Sequence, residues 1–449
     1  MILPIISVLI FSACSENNRQ EYLTFGFWDL YQQPDIEFED LYEQFRELLL
    51  EDFDFLVDKL QSHSPHFGVI YRRRGSGSDL NRIIPRHRES IENNSLFFAG
   101  NRPVDVGELP RRTANGFFTR LQSFATAPLG LAHFSTFAQG MIQEFYFTYH
   151  LDGYENSFFK DFPTSNTSFR NFYQLDIDDP LFRRLPPVDN NIRTRIITPE
   201  KIAYISIGTF GRLDGEVLLD RDILFAFYYE IQAFEHLIID LRGNSGGALP
   251  FFYDLIISPL INSPLENRRY EFVRQSILDY NAKSDYLFLA YSGIHQLDLT
   301  ASNIEIFPAV DFVQERGMNY FNPEDLEKLD SVLVWTYLTE PAEVDFDFNG
   351  KIWILVDNQT ASASENAILF AMNTGFATVV GTNTFGLMGG LTAHVILPNT
   401  GIFFRFDVGY FTDAYGRSLE EFGITPNYLN RPGMDALQTV LAMIEEMDN

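Results

Sequence analysis

The chain has 449 residues, room for two or three domains of ordinary size. Hydrophobic residues at 45% and charged residues at 21% describe a globular protein and exclude a disordered one. A formal net charge of −28 argues against nucleic acid, whose phosphates demand clustered Lys and Arg. A solvated surface accounts for it, and the run Arg72-Arg73-Arg74 is too short and isolated to reverse that reading.

Residues 2–11 are an apolar run too short to cross a bilayer, and Ser12-Ala13 place small residues just before Cys14. Segment 1–14 therefore resembles a bacterial lipoprotein signal ending at Cys14. That implies a lipid anchor in the cell envelope, on the periplasmic side or the cell surface. Cys14 is the one cysteine, so neither an intramolecular disulfide nor a cysteine-rich zinc site can form. Residues 15–36 read as a polar tether. In 37–60, Phe38, Leu41, Phe45, Leu48, Leu49, Phe53, Leu56 and Leu60 fall at helical spacing, with Glu and Asp opposite. Residues 75–94 are rich in Arg, Ser and Asn and read as containing a loop, and 112–126 as a further helix. The region 37–127 is expected to be a helical domain, and 128–200 a connecting region carrying His133.

Regular patterning begins at Lys201. Residues 201–207 alternate as a strand, 220–234 suit a helix, and 236–241 form a buried apolar strand. A Gly-rich turn and an apolar helix over 249–257 follow. Residues 352–356 and 377–380 read as two more buried strands around a helix over 363–372, and a helix over 434–447 closes the chain. Strands alternating with helices imply an α/β core over 201–449 with parallel pairing. Residues 267–334, which separate two core strands by a long path, read as an insertion.

Two segments carry candidate chemistry. In Asp357-Asn358-Gln359-Thr360-Ala361-Ser362-Ala363-Ser364-Glu365, Ser362 stands where a strand gives way to a helix, at the positive end of the helix dipole. Free N–H groups there suit a nucleophile whose attack builds an oxyanion. The Ser362…Glu365 spacing is equally that of a capping box, the more frequent meaning of the pattern alone. In Asp240-Leu241-Arg242-Gly243-Asn244-Ser245-Gly246-Gly247, consecutive glycines allow backbone N–H groups to approach a reacting atom; a tight strand-to-helix turn is the alternative. A phosphate loop is disfavoured because the Gly-Lys-Ser/Thr ending is absent.

These two segments, followed by Gly381-Thr382-Asn383-Thr384-Phe385-Gly386 and Gly423-Ile424-Thr425-Pro426-Asn427, resemble the C-terminal-processing, or tail-specific, serine peptidase family. The resemblance implies a crotonase/ClpP-like core behind an N-terminal helical domain, and attack on a peptide carbonyl through an acyl-enzyme. Ser362 falls on the family's nucleophile, and Gly246 or Gly247 with the Ala363 N–H on its oxyanion hole. Most bacterial members carry a lysine base in a Thr-Phe-Gly-Lys-Gly segment. Here it reads Thr384-Phe385-Gly386-Leu387-Met388, and no lysine follows Lys351. A tricorn-like branch uses instead a histidine ahead of the core and a late glutamate. His133 in Leu129-Gly130-Leu131-Ala132-His133-Phe134-Ser135 and Glu420 match those positions, with His394 as the rival base. Between 139 and 200 no peptide-docking PDZ signature is found. The expectation is a PDZ-lacking serine endopeptidase acting on polypeptides, with no metal or organic cofactor implied. A catalytically inactive lipoprotein binding peptides or glycans is the alternative, and a hydrolase of other acyl substrates is a third.

Overall fold

The computed structural model describes residues 26–33, 37–93, 106–126, 133–136, 142, 166–175, 191–212, 214–279, 287–291, 295–296 and 303–448. Cys14 with its 1–14 segment, much of the expected tether and most of the connecting region lie outside the described residues.

The first region is built of α1 (Phe38–His63), α2 (Phe67–Arg74), α3 (Leu80–Glu92) and α4 (Leu109–Thr126). Leu41, Phe45, Leu49, Phe53, Leu56 and Leu60 of α1 are buried along one stripe, and Glu43, Glu47, Glu51 and Asp54 are exposed on the other side. In the stretch expected to contain a loop, Gly75–Ser78 form a short 3-10 turn, and most of the remainder is α3. The Asp79 side chain caps α3 by accepting from the Asn81 N–H at 3.0 Å, and Ile83 and Ile91 bury its apolar side. The polar composition belongs to the helix's outer face.

Among the described residues the strands are β1 (Ser135–Thr136), β2 (Ile192–Thr198), β3 (Ile202–Ile207), β4 (His236–Asp240) and β5 (Leu265–Val273). Then come β6 (Leu287–Tyr291), β7 (His295–Gln296), β8 (Ile304–Pro308), β9 (Ser331–Thr339) and β10 (Lys351–Val356). The last are β11 (Thr378–Gly381), β12 (Leu391–Ile396), β13 (Phe403–Asp407), β14 (Tyr410–Phe411) and β15 (Tyr428–Leu429). Three long helices accompany them: α5 (Asp214–Ile231), α6 (Ala363–Thr374) and α7 (Ala436–Asp448).

The central sheet runs β15-β11-β10-β4-β3-β2, parallel except for β2. It is the expected α/β core, covered on both faces as parallel sheets must be. Alternate residues serve the two layers: Ile239, Ile354 and Val379 pack towards α5 and α6, whereas Ile238, Trp353 and Val380 pack against Val440 and Ile444 of α7. The sheet begins at Ile192, ahead of the Lys201 boundary read from the sequence. Edge strand β2 presents mostly exposed residues and shows no apolar alternation. The helix anticipated over 249–257 is continuous only in path, because a π-helical turn at Tyr253–Ile257 interrupts it.

Strands β5, β8 and β9, which lie wholly or partly in the expected insertion, form with β14 from beyond it a four-stranded antiparallel sheet, β14-β5-β9-β8. A further sheet runs β1-β13-β12-β6-β7. The helices of the first region pack on this sheet. Phe45, Phe53, Leu121 and Phe124 share one core with Leu391, Val395, Phe404 and Phe406, each such buried side chain stabilising the fold by about 1.5–3 kcal/mol. Asp52 of α1 ties the two polar frameworks, accepting from the N–H groups of Asn399 and Thr400 at 2.8 Å each in the β12–β13 turn.

Candidate active site

The two glycine- and serine-bearing turns follow β4 and β10, which are adjacent and parallel, so both emerge at the same sheet edge. They are stitched together there. Gly243 N–H donates to Asp357 Oδ1 at 3.0 Å, Ala361 N–H to the Asn244 carbonyl at 3.1 Å, and the Ser364 hydroxyl to Asn244 Oδ1 at 2.9 Å. This fixes Ser362 at the N-cap of α6 with φ 58° and ψ −124°, a conformation that L-residues rarely adopt. Holding it costs about 1–3 kcal/mol, which the surrounding bonds must offset.

The capping-box reading is present in part: the Ser362 N–H faces Glu365 Oε2 at 3.3 Å. The hydroxyl has another partner. Ser362 Oγ lies 2.9 Å from His133 Nε2, and His133 Nδ1 lies 2.7 Å from Asp407 Oδ2. The His133 and Asp407 side chains are only 11% and 2% exposed, so the chain of bonds is shielded from water. A carboxylate oxygen opposite Nδ1 selects the tautomer with its proton there, leaving Nε2 to accept from the serine hydroxyl.

The histidine arrives by strand register. Ser135 pairs with Arg405 and Thr136 with Phe404, antiparallel. Continuing that register by two residues sets His133 opposite Asp407, where side chains of neighbouring strands meet. Phe134 anchors the approach, its ring stacked 5.9 Å from Phe406 and 6.1 Å from Phe67.

Asp407 therefore occupies the place that sequence reasoning gave to Glu420. Glu420 lies one layer behind, in the short helix Leu419–Phe422, where its Oε1 accepts from the Met388 N–H at 2.8 Å. Burial, followed by the nearby Asp407 and Glu365 carboxyls, pushes its pKa well above the usual carboxylate range. Asp407 ends a phenylalanine-rich strand with one buried acid; that lone carboxyl in Phe403-Phe404-Arg405-Phe406-Asp407 is the signal that could have singled it out. The imidazole at the Ser362 hydroxyl is that of His133 and not the rival His394. His394 is buried in β12, with Nε2 3.0 Å from Thr392 Oγ1 and its ring edge-on to Phe403, and burial and then Arg405 hold its pKa well below the ordinary value.

The groups expected to form an oxyanion hole divide. Gly246 N–H is already committed to Asn244 Oδ1 at 2.9 Å. The N–H groups of Gly247 and Ala363 have no acceptor among the described residues; Ala363 opens α6 directly after Ser362, and Gly247 follows Gly246, where a Cβ would stand 2.8 Å from the Ala363 nitrogen and from Ser362 Cβ. Gly247 has φ 139°, and a Cβ there would lie 1.9 Å from the Gly211 nitrogen, so no other residue fits.

The segment that departs from the lysine pattern remains structural. Leu387 accepts the Ser362 N–H at 2.6 Å through its carbonyl and donates its own N–H to Glu365 Oε2 at 2.7 Å. Glu365 also takes the Gly386 N–H at 2.9 Å and the Thr384 hydroxyl. Burial pushes its pKa up, against these donors. Gly389, which sequence reasoning passed over, has φ 64° and lies directly on the pair. A Cβ there would stand 3.0 Å from His133 Cε1 and 3.4 Å from Ser362 Oγ.

The family model described as peptidase family S41 matches residues 201–429, the stretch that carries Ser362, Gly247 and Asp407. The chain belongs to peptidase family S41. Comparison with curated proteins gives no match. Among solved structures, this S41 chain is similar to a lipoprotein from Streptococcus agalactiae at 13% identity, covering 90% of this chain and 96% of that one, with a TM-score of 0.43. It is similar to a putative peptidase from Parabacteroides merdae at 15% identity, covering 82% and 96%, with a TM-score of 0.40. Mature CPAF complexed with lactacystin is similar at 12% identity, covering 90% and 98%, with a TM-score of 0.45.

In an S41 site so arranged, Gly389→Ala is expected to slow labelling by a serine-directed fluorophosphonate by about 100-fold, because the added methyl displaces the imidazole from the hydroxyl. A rate equal to wild type would show that the pair has room the geometry denies.

Proposed function

We propose that the protein is a serine endopeptidase that opens peptide bonds through an acyl-enzyme. The observation carrying this reading is the bond from Ser362 Oγ to His133 Nε2 at 2.9 Å, continued by His133 Nδ1 to Asp407 at 2.7 Å. As Ser362 Oγ bonds to the substrate carbonyl carbon, its proton passes to Nε2. The resulting oxyanion faces the N–H groups of Gly247 and Ala363. The C–N bond then breaks while Nε2 returns its proton to the departing amine. Water repeats the sequence on the ester and frees the acid and Ser362. Asp407 orients the ring and stabilises its protonated form.

The same bond favours catalysis over the binding-only alternative, since an imidazole already within hydrogen-bond reach of the hydroxyl supplies the base that the missing lysine would have been. The envelope location, on a lipid anchor at Cys14, is part of the proposal and rests on the sequence around that residue; no helix among the described residues is long and apolar enough to cross a membrane.

The test is adduct mapping. A fluorophosphonate should inactivate cleavage of an unstructured polypeptide, leaving one adduct, on the peptide containing Ser362. Modification elsewhere, or full cleavage activity by Ser362→Ala, would overturn the reading.

A further inference from the structure

The arginine run that composition set aside as too short to matter ends α2, and Arg73 reaches from the helical first region into the loops behind Ser362. Its Nη1 donates to the carbonyls of Glu420 at 2.6 Å and Gly386 at 2.9 Å, and its Nη2 to that of Phe385 at 2.8 Å. The guanidinium also lies over the Phe385 ring, 5.2 Å from its centroid. These carbonyls belong to two segments far apart in the chain. One continues into Leu387, which takes the Ser362 N–H, and Gly389, which lies on the His133–Ser362 pair. The other carries Glu420, whose carboxyl holds the Met388 N–H. Arg72 grips the second segment as well, donating to Glu421 at 2.7 Å while pairing with the buried Asp325. Just ahead of α2, His66 Nε2–H donates to the Gly409 carbonyl at 2.8 Å, two residues past Asp407.

We propose that Arg73 is a positioning residue for Ser362, a guanidinium clamp supplied by the helical region that locks the 385–389 and 419–422 segments into the arrangement holding the nucleophile. The inference rests on the endopeptidase reading above. A planar fork with several donors fixed in direction suits three carbonyls at once. An ammonium offers one point charge and cannot brace both segments in the same way. Because the clamp's hydrogen bonds go to backbone oxygens behind the nucleophile, it acts on the geometry of attack and not on substrate binding.

The experiment compares wild type, Arg73→Lys and Arg73→Ala for peptide cleavage and fluorophosphonate labelling, with thermal unfolding followed on the same samples. Arg73→Ala is expected to lose about 10- to 100-fold in kcat and in labelling rate, with KM unchanged. Added methylguanidine should restore part of the loss in Arg73→Ala, and methylammonium should not. Arg73→Lys, which keeps the charge and much of the packing, should remain folded and still lose kcat. Equal kcat in wild type and a folded Arg73→Lys would overturn the proposal, as would a loss in both variants that follows the unfolded fraction and is untouched by methylguanidine. Wild type that fails to label at Ser362 would instead sink the endopeptidase reading, so the two failures are distinct.

Discussion

Replacing His133 by alanine is expected to lower kcat/KM for peptide cleavage by about 10⁵- to 10⁶-fold, nearly as much as removing the Ser362 hydroxyl itself. The ring is the only base within reach of Ser362 Oγ among the described residues, and its other nitrogen is taken by Asp407. Without it the hydroxyl keeps its proton at the moment of attack. The loss should fall on kcat, because the imidazole acts in the transition state and the substrate's ground state does not need it. Steady-state kinetics on a fluorogenic peptide measure both terms. His394→Gln supplies the contrast: its folded fraction should keep wild-type kcat/KM, since His394 is sealed in β12 against Phe403. A large loss with His394→Gln and a small one with His133→Ala would reverse the assignment.

Asp407→Asn is expected to cost about 10⁴-fold in kcat at neutral pH. The asparagine amide, placed against Nδ1, can donate to it and so favours the tautomer whose proton sits on Nε2. That tautomer cannot take the serine proton. Glu420→Gln should cost far less, about tenfold or under, because Glu420 does not touch the imidazole and glutamine keeps an oxygen for the Met388 N–H. Measured together, the two variants separate the carboxyl that touches the imidazole from the one behind it. A greater loss in Glu420→Gln than in Asp407→Asn would return the role to Glu420.

What the sequence made legible was local. Ser362 at a strand-to-helix junction and the Gly246-Gly247 turn are each written in a short stretch beside the buried strand that leads into it, and the α/β core stands where that patterning put it. His133 came from resemblance, since nothing in its own neighbourhood marks a base. Asp407 was not legible, because its partner is set by the pairing of β1 with β13, a relation between segments 274 residues apart. Glu420 was misplaced for the same reason: position along the chain puts it near the site without saying which carboxyl faces the ring. Helix α3 was lost to composition, its charged outer face outweighing Ile83 and Ile91. Arg73 was dismissed by counting charges, whereas its role depends on three carbonyls that only the fold assembles.

The register that joins β1 to β13 also times the protein's birth. Ser362 is 229 residues from His133, and Asp407 comes later still in the chain. A ribosome making this polypeptide releases the histidine first of the three and the carboxylate last. The three groups can meet only once strand β13 has emerged and aligned with a two-residue strand made long before, and a slip of one position would turn His133 to the opposite face. The nascent chain therefore cannot assemble the three groups before β13 has emerged, and a misaligned copy does not assemble them at all.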